Sequence, residues 1–298
     1  MAKLMRSALN EKERQHYELA IVQVASMLQA SENLVPMALD PAVADSPIGR
    51  ANRRQLREPY ELSRLLLYSV EDHLRTVLAL LETQTLPTFA LYSLLRPAAE
   101  AAVRMAYLLE AGIDETQRLA RGLNVRLENL IQQNKVVADH AMLTERLANL
   151  ERRATANGID TLRDRRDRVD GFGEREPQET DLFAEYLGEG ELIYRYLSGH
   201  IHSMAWVQIS REGAVPTDEP GVSSMPMVLN VEVFANVLTI VLGRHEKNVV
   251  RLLQSGGYPR EVWVQAMTTA VAAARARVAA MNRGDPAPED PPNSGGPR

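Results

Sequence analysis

The chain contains no cysteine, which excludes disulfide frameworks and thiolate-held zinc. Aromatic residues are scarce, at 5% of 298 residues. Leu, Ala, Val and Met must therefore supply most of the packing, which suits helix against helix better than a sandwich of sheets. No segment approaches the ~20 uninterrupted apolar residues that a spanning helix needs. The longest apolar stretch, around Val231 to Leu242, is cut by Glu232 and Asn236. Positive charge is not in excess: the formal net charge is −5, which argues against bulk electrostatic binding of nucleic acid and leaves only a local basic groove open. The opening stretch MAKLMRSALNEKERQHYELA is too polar to read as a secretory signal. No phosphate loop ending in Gly-Lys-Ser/Thr, no His-Glu-x-x-His and no Gly-x-Ser-x-Gly is present. The expectation is a cytoplasmic protein with no membrane partner, no metal and no cofactor.

What is present is helical periodicity. Apolar residues recur at spacings of three and four from about Glu11 to Ala30, and again from Leu62 to Leu81 and from Phe89 to Ala111. Asp114 stands where a cap belongs, just before Glu115 to Asn134, and another helix is expected from Val136 to about Asn157. The charge-dense run from Thr161 to Thr180 alternates in sign, which favours a solvated helix or loop over a nucleic-acid arm. Asp181 to Met204 reads as helix with a Gly-rich interruption, Arg211 to Pro226 as a loop, and Leu229 to Ser255 and Pro259 to Asn282 as two long helices. Pro36, Pro41, Pro47 and Pro59 mark Ser31 to Pro59 as a long connector. These features predict an all-α protein: a helical bundle with an N-terminal helical arm and long C-terminal helices. Residues 1–59 would form the first helix and Pro-rich connector, 60–283 the bundle, and 284–298 a disordered Pro/Gly-rich tail.

Three helices carry polar residues inside apolar surroundings, where such groups are costly unless paired or used. In LLLYSVEDHLRTVLALL, Asp72 or His73 is expected to face inward or to edge a cleft; the plainer reading is a buried hydrogen bond joining two helices. In LLRPAAEAAVRMAYLLE, Arg96, Glu100, Arg104 and Tyr107 are spaced four, four and three, along one helix face. That row is either a salt-bridge ladder or a carboxylate orienting guanidinium groups toward a ligand. In LIYRYLSGHIHSMAW, Arg195, Ser198 and His202 are spaced three and four. At ~100° per residue His202 lies roughly 20° from Arg195, and His200 roughly 140° away. A bend at Gly199 would let His200 take the place of His202. Arg118, Arg121 and Arg126, with Asn124 among them, form a short basic strip, read as a solvated face that could also contact phosphate. His16, His140 and His245 are expected at the surface.

The pairing of LLRPAAEAAVRMAYLLE with YRYLSGHIHS resembles the HEPN superfamily of small helical bundles. It is similar to a bacterial branch with an Arg-x-x-x-Glu helix and a late Leu-Ser…His helix. The family's hallmark is an arginine followed after roughly four to six residues by a histidine, a spacing that both His200 and His202 meet from Arg195. The similarity covers about Tyr60 to Trp206. It implies RNA or nucleotide binding and, in active members, metal-independent RNA cleavage in toxin or defence systems, by homodimers that bring two such motifs into one cleft. On that reading Arg195 holds phosphate and His202, or His200, moves the proton. Ser198, Arg96, Glu100, Arg104, Asp72 and His73 would line or orient the site. The competing reading is a non-enzymatic helical interaction or sensor protein that oligomerises.

Overall fold

A computed structural model describes residues 4–38, 43–54, 56–137, 139–202, 204, 215–216, 223–224 and 229–283. Among these the chain is built of α-helices: α1 Glu11–Ala38, α2 Pro47–Arg54, α3 Glu58–Leu81, α4 Ala90–Leu108, α5 Glu115–Val137, α6 His140–Ala156, α7 Glu179–Tyr186, α8 Gly190–Ile201, α9 Val231–Ser255 and α10 Arg260–Arg283. None of these is long and apolar enough to cross a membrane.

The main core lies where α1, α3, α4, α9 and α10 meet, with α7 and α8 closing one side. Its fully buried side chains are Leu, Val, Ala and a few large rings, among them Tyr92, Tyr107, Phe183, Phe234 and Trp263. Small residues on α4 (Ala98, Ala99, Ala102 and Ala106, all buried) let α3 approach closely. That packing carries α4 straight through Pro97, although proline removes one backbone donor from the ladder. A second, smaller core joins α5 and α6 through Leu119, Leu123, Leu127, Leu150 and Ala154.

Several expectations change. α1 does not stop at Ala30: Ser31 and Leu34 continue its buried face, and the helix runs past Pro36 to Ala38. The supposed connector also holds α2, and α3 starts at Glu58 with Pro59 in its first turn, where a missing N–H costs nothing. Three short antiparallel ladders are present among the described residues. Leu4–Met5 (β1) pairs with Thr85–Leu86 (β2), Thr161–Arg163 (β3) with Val169–Phe172 (β4), and Val215–Pro216 (β5) with Ser223–Ser224 (β6). The charge-dense segment is thus a β3–β4 hairpin, held by Phe172, which is fully buried in the second core. The rest of the expected loop at 211–226, and the tail 284–298, lie outside the described residues.

The cap predicted at Asp114 is present, its carboxylate accepting from the Gln117 N–H at 2.7 Å. Asn230 caps α9 in the same way. The turn between α7 and α8 requires Gly190, because a Cβ there would fall 1.7 Å from the Phe183 carbonyl oxygen.

Candidate functional site

The polar row on α4 is a set of interhelical ties. Arg96 is buried and its Nε bonds Glu100 of the same helix. Its Nη1 donates to the Tyr194 carbonyl of α8 at 3.1 Å and its Nη2 to Glu179 of α7 at 3.4 Å. The guanidinium lies 4.0 Å from the Tyr194 ring centroid. Arg104 stands 3.9 Å from Glu179, and the Tyr107 hydroxyl donates to Glu174 at 2.9 Å. Read along α4, these residues fasten the segment from Glu174 to Tyr194 onto the bundle. Of the row along α4, the Arg96–Glu100 pair is present, while Arg104 faces Glu179 of α7.

On α3 the expected inward residue is not Asp72, which is exposed, nor His73, which is partly exposed. Glu71 occupies the buried stripe with Leu67, Val70 and Leu74. Its carboxyl lies beside Ser31 of α1, with Arg75 3.6 Å away. Burial, only partly offset by Arg75, pushes its pKa up to about 7.

The four candidates on α8 divide between two environments. Arg195 is exposed and pairs with Glu191 at 2.9 Å. His202, also exposed, is the residue that ends the helix, and Ser198 is partly buried. His200 is buried, stacked on Tyr92 with ring centroids 4.1 Å apart, and flanked edge-on by Tyr196. Neither of its ring nitrogens has a partner among the described residues, and burial depresses its pKa to about 4. The Arg96 guanidinium is engaged with Glu100, Glu179 and the Tyr194 carbonyl, and Arg195 with Glu191. No bond joins the α4 row to Arg195 or His202 among the described residues.

His245, expected at the surface, is fully buried on α9, and burial lowers its pKa to about 4. It sits on the apolar stripe of Leu238, Val241, Asn248 and Leu252, spaced by threes and fours. The basic strip on α5 also turns inward: Arg121 and Asn124 are buried. Asn124 donates to the carbonyls of Phe172 and Glu174 and accepts from the Phe172 N–H.

Four arginines gather at a seam where the end of α4 meets α5, α7 and α9. Arg121 donates to Glu174 at 2.8 Å, to Glu110 at 2.5 Å and to the Tyr107 carbonyl at 2.7 Å. Arg118 donates to the carbonyls of Leu108 and Glu110, acceptors at the C-terminal end of α4. The Tyr186 hydroxyl donates to the same Glu110 carboxylate at 2.9 Å. Arg244 and Arg251 join from α9, seven residues apart and so on one face. Two bonds set the register of α9 on α4: Tyr92 hydroxyl to Asn230 carbonyl, 3.2 Å, and Asn248 amide to Ala102 carbonyl, 2.7 Å. Arg251, one turn beyond Asn248, thereby reaches the field of Glu110 and Arg118. Arg244 lies within the field of Arg251 and Tyr186.

Among the described residues, neither α9 arginine has an ion pair or a hydrogen-bonded guanidinium. Arg244 Nε and Arg251 Nη1 are shielded from solvent with no partner. Burial, and then repulsion from Arg251, lowers the pKa of Arg244; burial and the neighbouring Arg121 and Arg251 lower that of Arg118. No protein-family model, curated protein or solved structure matches the chain. The seam went unnoticed in the sequence because its four arginines come from two helices more than a hundred residues apart. The available signal was Arg244 and Arg251 at a heptad spacing beside a buried stripe. Among the described residues, no group of three or more His, Asp or Glu side chains is placed to hold a metal ion.

Proposed function

We propose that this chain is an RNA- or nucleotide-binding helical protein whose phosphate contacts are made by the arginine seam. The observation that carries this reading is the pair Arg244 and Arg251, partly buried, close enough to repel one another and with no ion pair or hydrogen bond to either guanidinium among the described residues. Guanidinium groups are planar, always charged and matched to phosphate oxygens. Two of them held together without an acceptor store repulsion that an anion would relieve. Elsewhere the arginines are largely engaged, as in Arg50 with Glu115, Arg126 and Arg153 with Glu58, and Arg163 with Glu151. Arg244 and Arg251 carry no such pair among the described residues.

Cleavage of bound RNA by Arg195 and His202 is a second reading, favoured by both side chains being solvent-exposed at the end of α8. His200 fits that role poorly, since its ring is walled in by Tyr92, Phe89 and Tyr196. One set of samples tests both readings. Fluorescence anisotropy with labelled single-stranded RNA and with labelled nucleotide should show binding to at least one, weakening as salt rises. Absence of binding to both at low salt would contradict the proposal. RNA recovered from the same mixtures, run on a gel for wild type and His202→Ala, shows whether that histidine cuts. Equal product in both removes it as a catalyst.

A further inference from the structure

We infer that the last turns of α1, residues 31–38, form a pH-sensitive latch on α3, closed while the Glu71 carboxyl holds its proton and open once that proton is lost. The inference is independent of the phosphate reading. Ser31 and Glu71 are both buried where α1 packs on α3. Ser31 Oγ and Glu71 Oε1 are shielded from solvent, and neither has a hydrogen-bond partner of good geometry among the described residues. Arg75 stands 3.6 Å from the Glu71 carboxylate, beyond hydrogen-bond range. Its guanidinium is engaged instead with Glu32 of α1, at 3.0 Å.

The charge here balances in one protonation state only. The charged groups that act on Glu71 are Arg75 of its own helix and Glu32 of α1; α4, α5 and α9, which also pack on α3, contribute none. With Glu71 protonated, Arg75 and Glu32 cancel, and their pair ties the two helices. With Glu71 ionised, two carboxylates compete for one guanidinium, and one of them is buried with an oxygen that no donor reaches. Water must then reach Glu71, and the end of α1 is the part able to yield. Pro36 has no N–H, so the Glu32 carbonyl lacks its donor within the helix. On its other side this stretch borders a cleft of about 310 Å³, lined by Gln29 and Leu34 of α1 and by Val262, Ala266 and Ala270 of α10. The middle of α1, by contrast, buries Ile21 and Val24 completely. Movement of the end of α1 away from α3 hydrates Glu71 and reshapes that cleft. Burial keeps the proton on the carboxyl up to about pH 7, so the latch works in the neutral range.

Amide hydrogen exchange of the full chain at pH 6 and pH 8, corrected for the intrinsic pH dependence of exchange, tests this. With Glu71 titrating near 7 when closed and near its ordinary 4.5 when open, protection of 31–38 should fall by about tenfold between the two conditions. A local opening exposes little surface, so the fall should be indifferent to low concentrations of urea. Glu71→Gln keeps the shape without the charge and should show no such fall; Glu71→Met is a second uncharged variant for the same comparison. Equal protection at both pH values in the wild type, or the same fall in the uncharged variants, would overturn the inference. So would a fall that deepens with urea, as unfolding of the whole molecule does.

Discussion

The carboxyl of Glu71 is 2% exposed and lies between α1 and α3, held near pKa 7 by burial. The sign of its effect follows from comparing the two states. The folded chain keeps the proton up to about pH 7, and the unfolded chain releases it near the ordinary value of 4.5. Below 4.5 the group costs nothing. Between the two values the unfolded state gains by ionising alone, so stability falls as pH rises, and above 7 the full cost is present. Glu71→Gln should therefore match wild type near pH 4.5 and exceed it at alkaline pH by up to about 3 kcal/mol, less whatever the lost Arg75 contact contributed. Urea unfolding at the two pH values reads this directly; an unchanged difference between variant and wild type would show that Glu71 is not buried as a proton-retaining acid. The sequence held this residue in plain view. Leu67, Glu71 and Leu74 follow the helical spacing, which turns Glu71 rather than Asp72 or His73 toward the core.

Among elements, the β3–β4 hairpin shows what short-range pattern misses. Its strands are three and four residues long and carry charges, so no alternation develops to announce them. Their place is fixed by a distant side chain: Asn124 supplies the Phe172 N–H with an acceptor at 2.7 Å and the Glu174 carbonyl with a donor at 2.7 Å. Asn124→Ala would leave these buried backbone groups unpaired. A loss of about 2–4 kcal/mol is expected, with faster amide exchange concentrated in 161–174. Uniformly unchanged exchange would contradict the view that Asn124 anchors the hairpin. The long helices were legible for the opposite reason, since each repeats its apolar stripe over several turns. The extension of α1 through Pro36 and the presence of α2 were not, because dense proline signals a break in local sequence. A proline near a helix end removes only one bond, and buried Leu34 keeps that part of α1 on the core.

For the whole molecule, the fold class followed from composition and periodicity, whereas the site did not. Arg96, Glu100 and Arg104 share a face as their spacing implies, but what they meet, Glu179 and the Tyr194 carbonyl, depends on how α7 and α8 pack. The seam is less legible still, because charge balance there is a property of helices more than a hundred residues apart in the chain. In a protein of net charge −5, the phosphate reading rests on a local pair of arginines, Arg244 and Arg251, rather than on a basic surface. The most direct test is the melting temperature at constant ionic strength, with chloride exchanged for inorganic phosphate, for wild type and for Arg244→Gln with Arg251→Gln. A ligand that binds only the folded state raises its stability, so phosphate should raise the melting temperature of the wild type and leave the double variant unmoved. The same increase in both proteins, or none in the wild type, would contradict the account.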